Sequence, residues 1–322
     1  MGDFKLPDQT LSAMNDALVA NYHNERRGYI GASAIGGSCE RRIWNAFHWV
    51  DEDTYNAQSI KAITDGHHSE QVMAGRLRHT PGVSIWTEKP NGKQFDFKDG
   101  HLSGHLDGKI KGIAVDPKAM HVWEHKAVNE KKFNALVKFV VRDEDTALFE
   151  WDETYFAQAQ IYMHYFQIEW HYLTCCTPGS RDETSVRTKY DASAAEHYRS
   201  RARRIVRAER PPARISESAS WFACKWCPFT GNCHGDKLPL KNCRTCAHST
   251  SAESGSWRCE KKNKELDEYD QREGCEQHLF NPGLVPGEQT DAGDDWIEYR
   301  LRSGTAIRNQ NAEVTTIPTA GG

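Results

Sequence analysis

The sequence has no run of about 18 apolar residues, so no membrane-spanning helix is expected. Its first residues, Met1-Gly2-Asp3-Phe4-Lys5-Leu6-Pro7-Asp8, carry no basic stretch leading into an apolar one. A secretory signal is therefore not expected, and a cytoplasmic protein is the default reading. There is no excess of positive charge: 41 Lys and Arg stand against 45 Asp and Glu, a net charge of −4. That balance is unusual for a protein that holds nucleic acid over its whole surface, and leaves a local basic patch or bound cations as the means of contact. No internal repeat of fixed period is visible, which excludes a solenoid. What is present suits a folded chain: 38% apolar residues and ten tryptophans provide a core, while 27% charged residues and a mean hydropathy of −0.75 imply many solvated loops. The 322 residues leave room for one large domain of about 200–250 residues and a small appendage.

Punctuation along the chain predicts the elements. Leu11 to Tyr22 reads as an amphipathic helix, Ser33 as the N-cap of a second helix carrying Cys39, Asp51-Glu52-Asp53 as a solvated loop, and Gln58 to Arg78 as a long helix. Between Val83 and Val128, short alternating stretches are separated by Pro90-Asn91-Gly92, Lys98-Asp99-Gly100 and Asp116-Pro117, the pattern of hairpins in a sheet. Helices are expected over Asn129 to Arg142 and Thr154 to Tyr165, a strand over Glu169 to Cys176, and an arginine-rich helix over Ala192 to Glu209, stopped by Pro211-Pro212. Beyond Asn281 the chain reads as loop-rich. Trp296 to Leu301 could form a hairpin about Arg302-Ser303-Gly304, and the last dozen residues are expected to be disordered.

The candidate chemistry lies in the predicted sheet. Hydrolysis of a phosphodiester near neutral pH needs a divalent metal to offset phosphoryl charge and acidify water, and hard Mg²⁺ or Mn²⁺ needs oxygen ligands, which Asp107 and Glu124 can supply. If Val122 to Lys126 is a strand, its period of two puts Glu124 and Lys126 on one face, with His121, Trp123 and His125 on the other. Lys126 could then orient water and offset charge, or be only half of a same-face ion pair. His121-Val122-Trp123-Glu124-His125 also fits H-x-x-E-H, the zinc-peptidase pattern, but that chemistry requires a helix, and the β-branched Val122, Trp123 and Asp116-Pro117 favour a strand.

In order, Gly66 to Glu70, Gly104 to Asp107, Glu124 to Lys126 and Gln158 to Tyr162 give G-x-x-x-E, G-x-x-D, E-x-K and Q-x-x-x-Y. This series resembles the RecB-type branch of the PD-(D/E)XK nuclease superfamily. The resemblance implies an α/β fold of restriction-endonuclease type, a central mixed sheet flanked by helices. It also implies that Glu70, Asp107 and Glu124 bind metal, that Lys126 assists the nucleophile, and that Gln158 and Tyr162 steady the site or the DNA backbone. Two departures stand out: His67 competes with Glu70, and the stretch from Lys126 to Gln158 is long and holds Asp143-Glu144-Asp145.

Clustered cysteines in a reducing compartment point to metal, except for Cys175 and Cys176, which read as buried strand residues. Cys224, Cys227 and Cys233 form C-x2-C-x5-C, with Cys39 as the fourth partner. Spacing alone does not separate zinc from an iron-sulfur cluster. One early and three late cysteines around a nuclease core resemble AddB-type helicase-nucleases and CRISPR-associated spacer-acquisition nucleases, and that resemblance implies a structural 4Fe-4S cluster. Cys243, Cys246, Cys259 and Cys275, spaced x2, x12 and x15, suggest a zinc knuckle, with His248 and His278 as alternative ligands. Lys261, Lys262 and Lys264 beside Trp257 could serve DNA, protein docking, or solvation alone. Arg199, Arg201, Arg203, Arg204, Arg207 and Arg210 could contact phosphates or be paired with Glu196 and Glu209.

The expected organisation is a nuclease domain over residues 1–240, a knuckle over 241–282 and a tail over 283–322. The expected activity is a divalent-metal-dependent deoxyribonuclease, an exonuclease rather than a site-specific enzyme, working by two metals in recombination, repair or replication, as phage enzymes of this kind do. DNA is the expected partner, with a recombination or replication protein as a further one. The alternative is a catalytically idle DNA-binding or assembly module stabilised by the iron-sulfur and zinc sites.

Overall fold

The computed structural model describes residues 8–23 and 26–318. The chain divides into two compact units that interleave in sequence: residues 1–25, 53–96 and 105–192 form the first, and residues 26–52, 97–104 and 193–322 the second.

The first unit is α/β, as expected. Its sheet has five strands in the order β1 (Ser84–Trp86), β2 (Gly108–Ile113), β3 (Asp116–Ala127), β4 (Trp170–Cys176) and β5 (Glu183–Lys189). All neighbours are antiparallel except β3 and β4, which run parallel, so the sheet is mixed. The parallel step needs a crossover, supplied by three helices: α3 (Glu130–Arg142), α4 (Glu144–Trp151) and α5 (Glu153–Phe166). Asp143-Glu144-Asp145 thus lies at the junction of two of them, and the Asp143 carboxylate accepts from the Asp145 amide as the cap of α4. Asp152 caps α5 through the amides of Thr154 and Tyr155.

Helix α1 (Gln9–Ala20) precedes the 22-residue α2 (Ala57–Arg78), whose cap is Asn56. Met73 and Ala74 of α2 pack on Ile85, Ile110, Ile113 and Trp123. That burial fixes which face of β3 looks at α2: Trp123 does, so Glu124 and Lys126 take the opposite face. Gly108 permits close strand packing, since a Cβ there would meet the Trp86 carbonyl oxygen at 2.7 Å and the Trp123 ring at 3.2 Å. Gly112, with φ +90° at a register shift between β2 and β3, would place a Cβ 1.9 Å from the Gly82 carbonyl oxygen.

A small sheet of Ile30–Gly31, Leu102–His105 and Asp96–Asp99, all but Asp96 and His105 in the second unit, has Gly100 (φ +58°) in its turn. Ser33 does not cap a helix: Gly31 occupies the cap of Ala32–Ile35, because Ile30 and Gly31 are drawn into a parallel pairing with Leu102 and Ser103 and the helix starts directly after them. Cys39 is the cap residue of Glu40–Phe47 and not a member of the helix. Asp51 is not solvated but buried, in an ion pair with Lys237.

Residues 287–316 form a four-stranded antiparallel meander, more regular than a loop-rich tail. Trp296–Leu301 and Ala306–Gln310 make the hairpin that the alternation suggested. Leu279, Phe280, Val285, Ile297, Tyr299 and Ile307 form its core. Glu313–Thr316 completes the meander, so this part of the last dozen residues is paired where disorder was expected; residues 319–322 lie outside the described residues.

Candidate functional site

Glu124 and Lys126 project from the most enclosed stretch of β3, which has a sheet neighbour on each side. The Lys126 ammonium donates to Glu124 Oε2 at 2.9 Å, with the glutamate side chain only 2% exposed and the lysine 20%. Glu124 Oε1 is buried and has no hydrogen-bond partner. Asp107 immediately precedes β2, and its Oδ2 accepts from the His125 amide at 2.9 Å, which holds it beside the same stretch of β3. Glu70, on α2, is half-buried and near enough to Asp107 and Lys126 to feel their charge.

Electrostatics link these groups. Desolvation, followed by the charge of Asp107, pushes Glu70 up to about 7 and Glu124 up to about 8, against the pull of Lys126. Desolvation also raises Asp107, opposed by Lys126 and the His125 amide. Burial by itself would lower Lys126, but Glu124 and Asp107 together hold it above an ordinary lysine. Three carboxyl groups thus act on one another beside one ammonium, and each is driven toward keeping its proton while the site holds no cation. A buried carboxylate oxygen without a donor and mutually raised carboxyl groups are what a hard cation would relieve, so the donor set fits Mg²⁺ or Mn²⁺. The ligands are gathered but not closed: among the described residues no three His, Cys, Asp or Glu side chains stand in a formed metal-ligand set.

Gln158 and Tyr162 lie one turn apart on α5 and are both buried. Tyr162 donates its hydroxyl to the His105 carbonyl at 2.7 Å, and Gln158 donates to the Tyr162 oxygen at 3.2 Å. They hold the strand entry two residues before Asp107. His67 is exposed and its charge acts on Asp107, while Glu70 is half-buried.

Several participants carry no motif. Tyr155 lies between two cations, with the Lys126 nitrogen 5.3 Å and the Lys132 nitrogen 4.5 Å from its ring centroid. Behind Glu124, the His125 ring joins Ser69 Oγ at 2.9 Å to Thr174 Oγ1 at 3.0 Å, so the residue next to Glu70 is tied to β3 and β4. The one available signal was the polarity of positions 69, 125 and 174. The H-x-x-E-H reading is excluded, because His121 and His125 lie on a strand, about 13 Å apart at 3.3 Å per residue. Arg187 moreover donates to His121 at 3.0 Å.

The cysteines of the first set all lie in the second unit, near enough to act on one another's thiols, but among the described residues no three of them stand in a formed ligand set. Burial raises Cys224, with Cys233 and Cys39 adding to it. Burial also raises Cys227, where Arg42 opposes and Cys39 and Cys233 add. Arg41 donates to Cys233 Sγ at 3.9 Å and to the Pro212 carbonyl at 2.6 Å. Cationic donors toward sulfur suit a negatively charged thiolate set. In the second set, Cys243, Cys246, Cys259 and Cys275 line one small cavity together with His248 and His278. Burial, then Cys246, Cys275 and Cys259, push the Cys243 thiol up to about 12, so a metal bound there would have to displace its proton. Cys175 and Cys176 are buried on β4.

The arginine-rich helix, Ala192–Arg207, has one deeply buried arginine and several exposed ones in ion pairs. Arg201 is buried and donates to the Ile35 and Gly37 carbonyls and to Glu40, Arg204 pairs with Glu40, Arg199 and Arg203 with Glu196, and Arg207 with Glu253. The knuckle lysine Lys264 pairs with Asp270.

No family model matches the chain, and no curated protein matches it. Among solved structures it is similar to an alkaline exonuclease from Laribacter hongkongensis, at 14% identity and a TM-score of 0.39 over 59% of this chain and 90% of that one. It is also similar to a phage-related exonuclease from Haemophilus somnus 129PT, at 12% identity and a TM-score of 0.39 over 60% of this chain and 94% of that one. Overlap at this level is partial.

Proposed function

We propose that the protein is a divalent-metal-dependent deoxyribonuclease acting from DNA ends. The observation that carries this reading is the corner formed by Glu70, Asp107, Glu124 and Lys126, in which Glu124 has a buried carboxyl oxygen with no donor. Mg²⁺ or Mn²⁺ bound there would stabilise phosphoryl charge and acidify water. Glu70, Asp107 and Glu124 would hold the two cations. Lys126, kept protonated by its carboxylate neighbours, would orient the attacking water and offset charge at the scissile phosphate. Gln158 and Tyr162 position the Asp107 segment through the His105 carbonyl and do not touch the substrate in this scheme.

The first cysteine set would hold a 4Fe-4S cluster that staples residue 39 to residues 224–233, and the second set would hold Zn²⁺. The enzyme would serve recombination, repair or replication of DNA in a cytoplasm, with a recombination or replication protein as its partner. No helix among the described residues is long and apolar enough to cross a membrane.

The test compares end-labelled linear DNA with closed circular DNA in Mg²⁺ or Mn²⁺, using wild type and Asp107→Ala of measured iron and zinc content. Loss of linear DNA only, abolished in the variant, supports an exonuclease. Cleavage of both substrates replaces that reading with an endonuclease, and cleavage of neither removes the enzyme reading.

A further inference from the structure

Three large aromatic side chains stand in solvent within six residues of the first cysteine set. Trp221 is 47% exposed, Phe222 71% and Trp226 68%, although residues of this kind ordinarily bury their rings. Backbone hydrogen bonds and two buried side chains anchor the loop that presents them. Cys224 and Phe229 turn inward and are buried, the Cys224 amide donates to the Trp221 carbonyl at 2.9 Å, and the Cys227 amide donates to the Cys224 carbonyl at 3.0 Å. The Trp221 and Phe222 rings lie 5.2 Å apart, and the Lys225 ammonium sits 5.1 Å from the Trp226 ring centroid.

Two exposed cations carry no ion pair among the described residues beside the rings. Lys225 and Arg42 are exposed, and Arg42 acts on the Cys227 thiol. Arg214 is half-buried, and the acidic residue that pairs with it, Glu217, has its charge matched. Exposed rings interleaved with uncompensated cations are the chemistry of a surface that stacks unpaired bases and tracks a phosphate backbone, because every base has a π-face and every phosphate a negative charge. A wholly apolar protein partner would not call for the cations, and paired bases would not offer their faces.

We infer that Trp221, Phe222 and Trp226, with Lys225 and Arg42, form a stacking platform for single-stranded DNA. This rests on DNA being the substrate, as proposed above. It assigns to the cysteine-bearing loop a substrate-holding task in addition to its cofactor set.

Binding of a fluorescently labelled oligo-dT is measured by anisotropy, beside an abasic strand of equal length, in an Asp107→Ala background that leaves the DNA intact. Trp226→Ala and Phe222→Ala are each expected to weaken oligo-dT binding roughly 5- to 150-fold, the range for loss of one base–aromatic stack. The abasic strand should bind both variants as it binds the parent. Trp226→Phe should restore most of the affinity and Trp226→Leu should not. Unchanged oligo-dT binding in the alanine variants overturns the inference, as does equal loss on the abasic strand. Rescue by leucine as good as by phenylalanine overturns it too, and points to an apolar protein contact. Wild-type cleavage of end-labelled DNA is followed in parallel. A stacking signature without cleavage refutes the nuclease and leaves the platform standing, whereas cleavage without the signature does the reverse.

Discussion

Glu70→Gln is expected to stabilise the metal-free protein at alkaline pH and to weaken its response to metal. The folded-state value of Glu70 is raised from an ordinary 4.5 to about 7, chiefly by desolvation and then by Asp107. A carboxyl group raised on folding costs nothing below about pH 4.5, where both states are protonated. Its cost grows as pH rises from 4.5 to 7 and is complete above 7, because the unfolded chain ionises freely while the folded one resists. Two to three units at about 1.4 kcal/mol each set an upper bound, and screening of this half-buried group reduces it to about 1–2 kcal/mol. At roughly 2–4 °C per kcal/mol, the glutamine variant should melt about 2–8 °C higher than wild type at pH 8.5 in EDTA, and no higher at pH 4.5. Saturating Mn²⁺ should reverse the order, since a ligand about 100-fold above its Kd adds about 2.7 kcal/mol to the form that binds it and less to one that has lost a ligand. The assay is thermal unfolding of both proteins at the two pH values, with and without Mn²⁺. Equal melting at pH 8.5 in EDTA, or equal stabilisation of both proteins by Mn²⁺, would refute the reasoning.

Other outcomes follow from named contacts. Lys126→Met should lower single-turnover cleavage by about 10²–10⁴-fold while Mn²⁺ still binds in calorimetry; loss of Mn²⁺ binding instead would give the lysine a structural role. Tyr162→Phe removes a buried donor from the His105 carbonyl and should cost about 1–3 kcal/mol in urea unfolding. His48 and His101 are buried neutral, each pushed down to about 4 mainly by desolvation. Their folded values lie below the unfolded one, so the stability they allow is present above pH 6.5 and is lost as pH falls toward 4. His101→Phe, placed against Phe47 and Trp257, should flatten the melting temperature over that window. Cys227→Ser should remove iron and spare zinc in elemental analysis, and Cys246→Ser should do the opposite.

How much of this could be read from sequence follows from the range of each interaction. The pair Glu124 and Lys126 was legible because strand period is local, and the long helix bearing Glu70 announces itself by length and pattern. The His125 bridge was not, because its partners Ser69 and Thr174 lie 56 and 49 residues away and are brought to it only by the packed sheet. Tyr155 looks like an ordinary helix aromatic until the crossover lays it between Lys126 and Lys132. The same limit explains Ser33: a local cap signal lost to a strand pairing with residues about 70 positions on. Arg201 shows that an arginine count cannot separate a phosphate contact from a buried anchor, since its carbonyl partners lie 164 and 166 residues away. The interleaving of the two units has no local mark at all, because residues 26–52 and 97–104 belong to the second unit through what they pack against.

The most direct test of the carboxylate corner is the release of nucleotides from end-labelled linear DNA by wild type and by Glu124→Gln, in Mg²⁺ and in its absence. Wild type is expected to release label only with Mg²⁺, and the variant, which keeps an acceptor for Lys126 but loses the buried charge, to release none. Equal release by both proteins, or release by wild type without divalent metal, would contradict the assignment of Glu124 and its neighbours as the site of a metal-dependent nuclease.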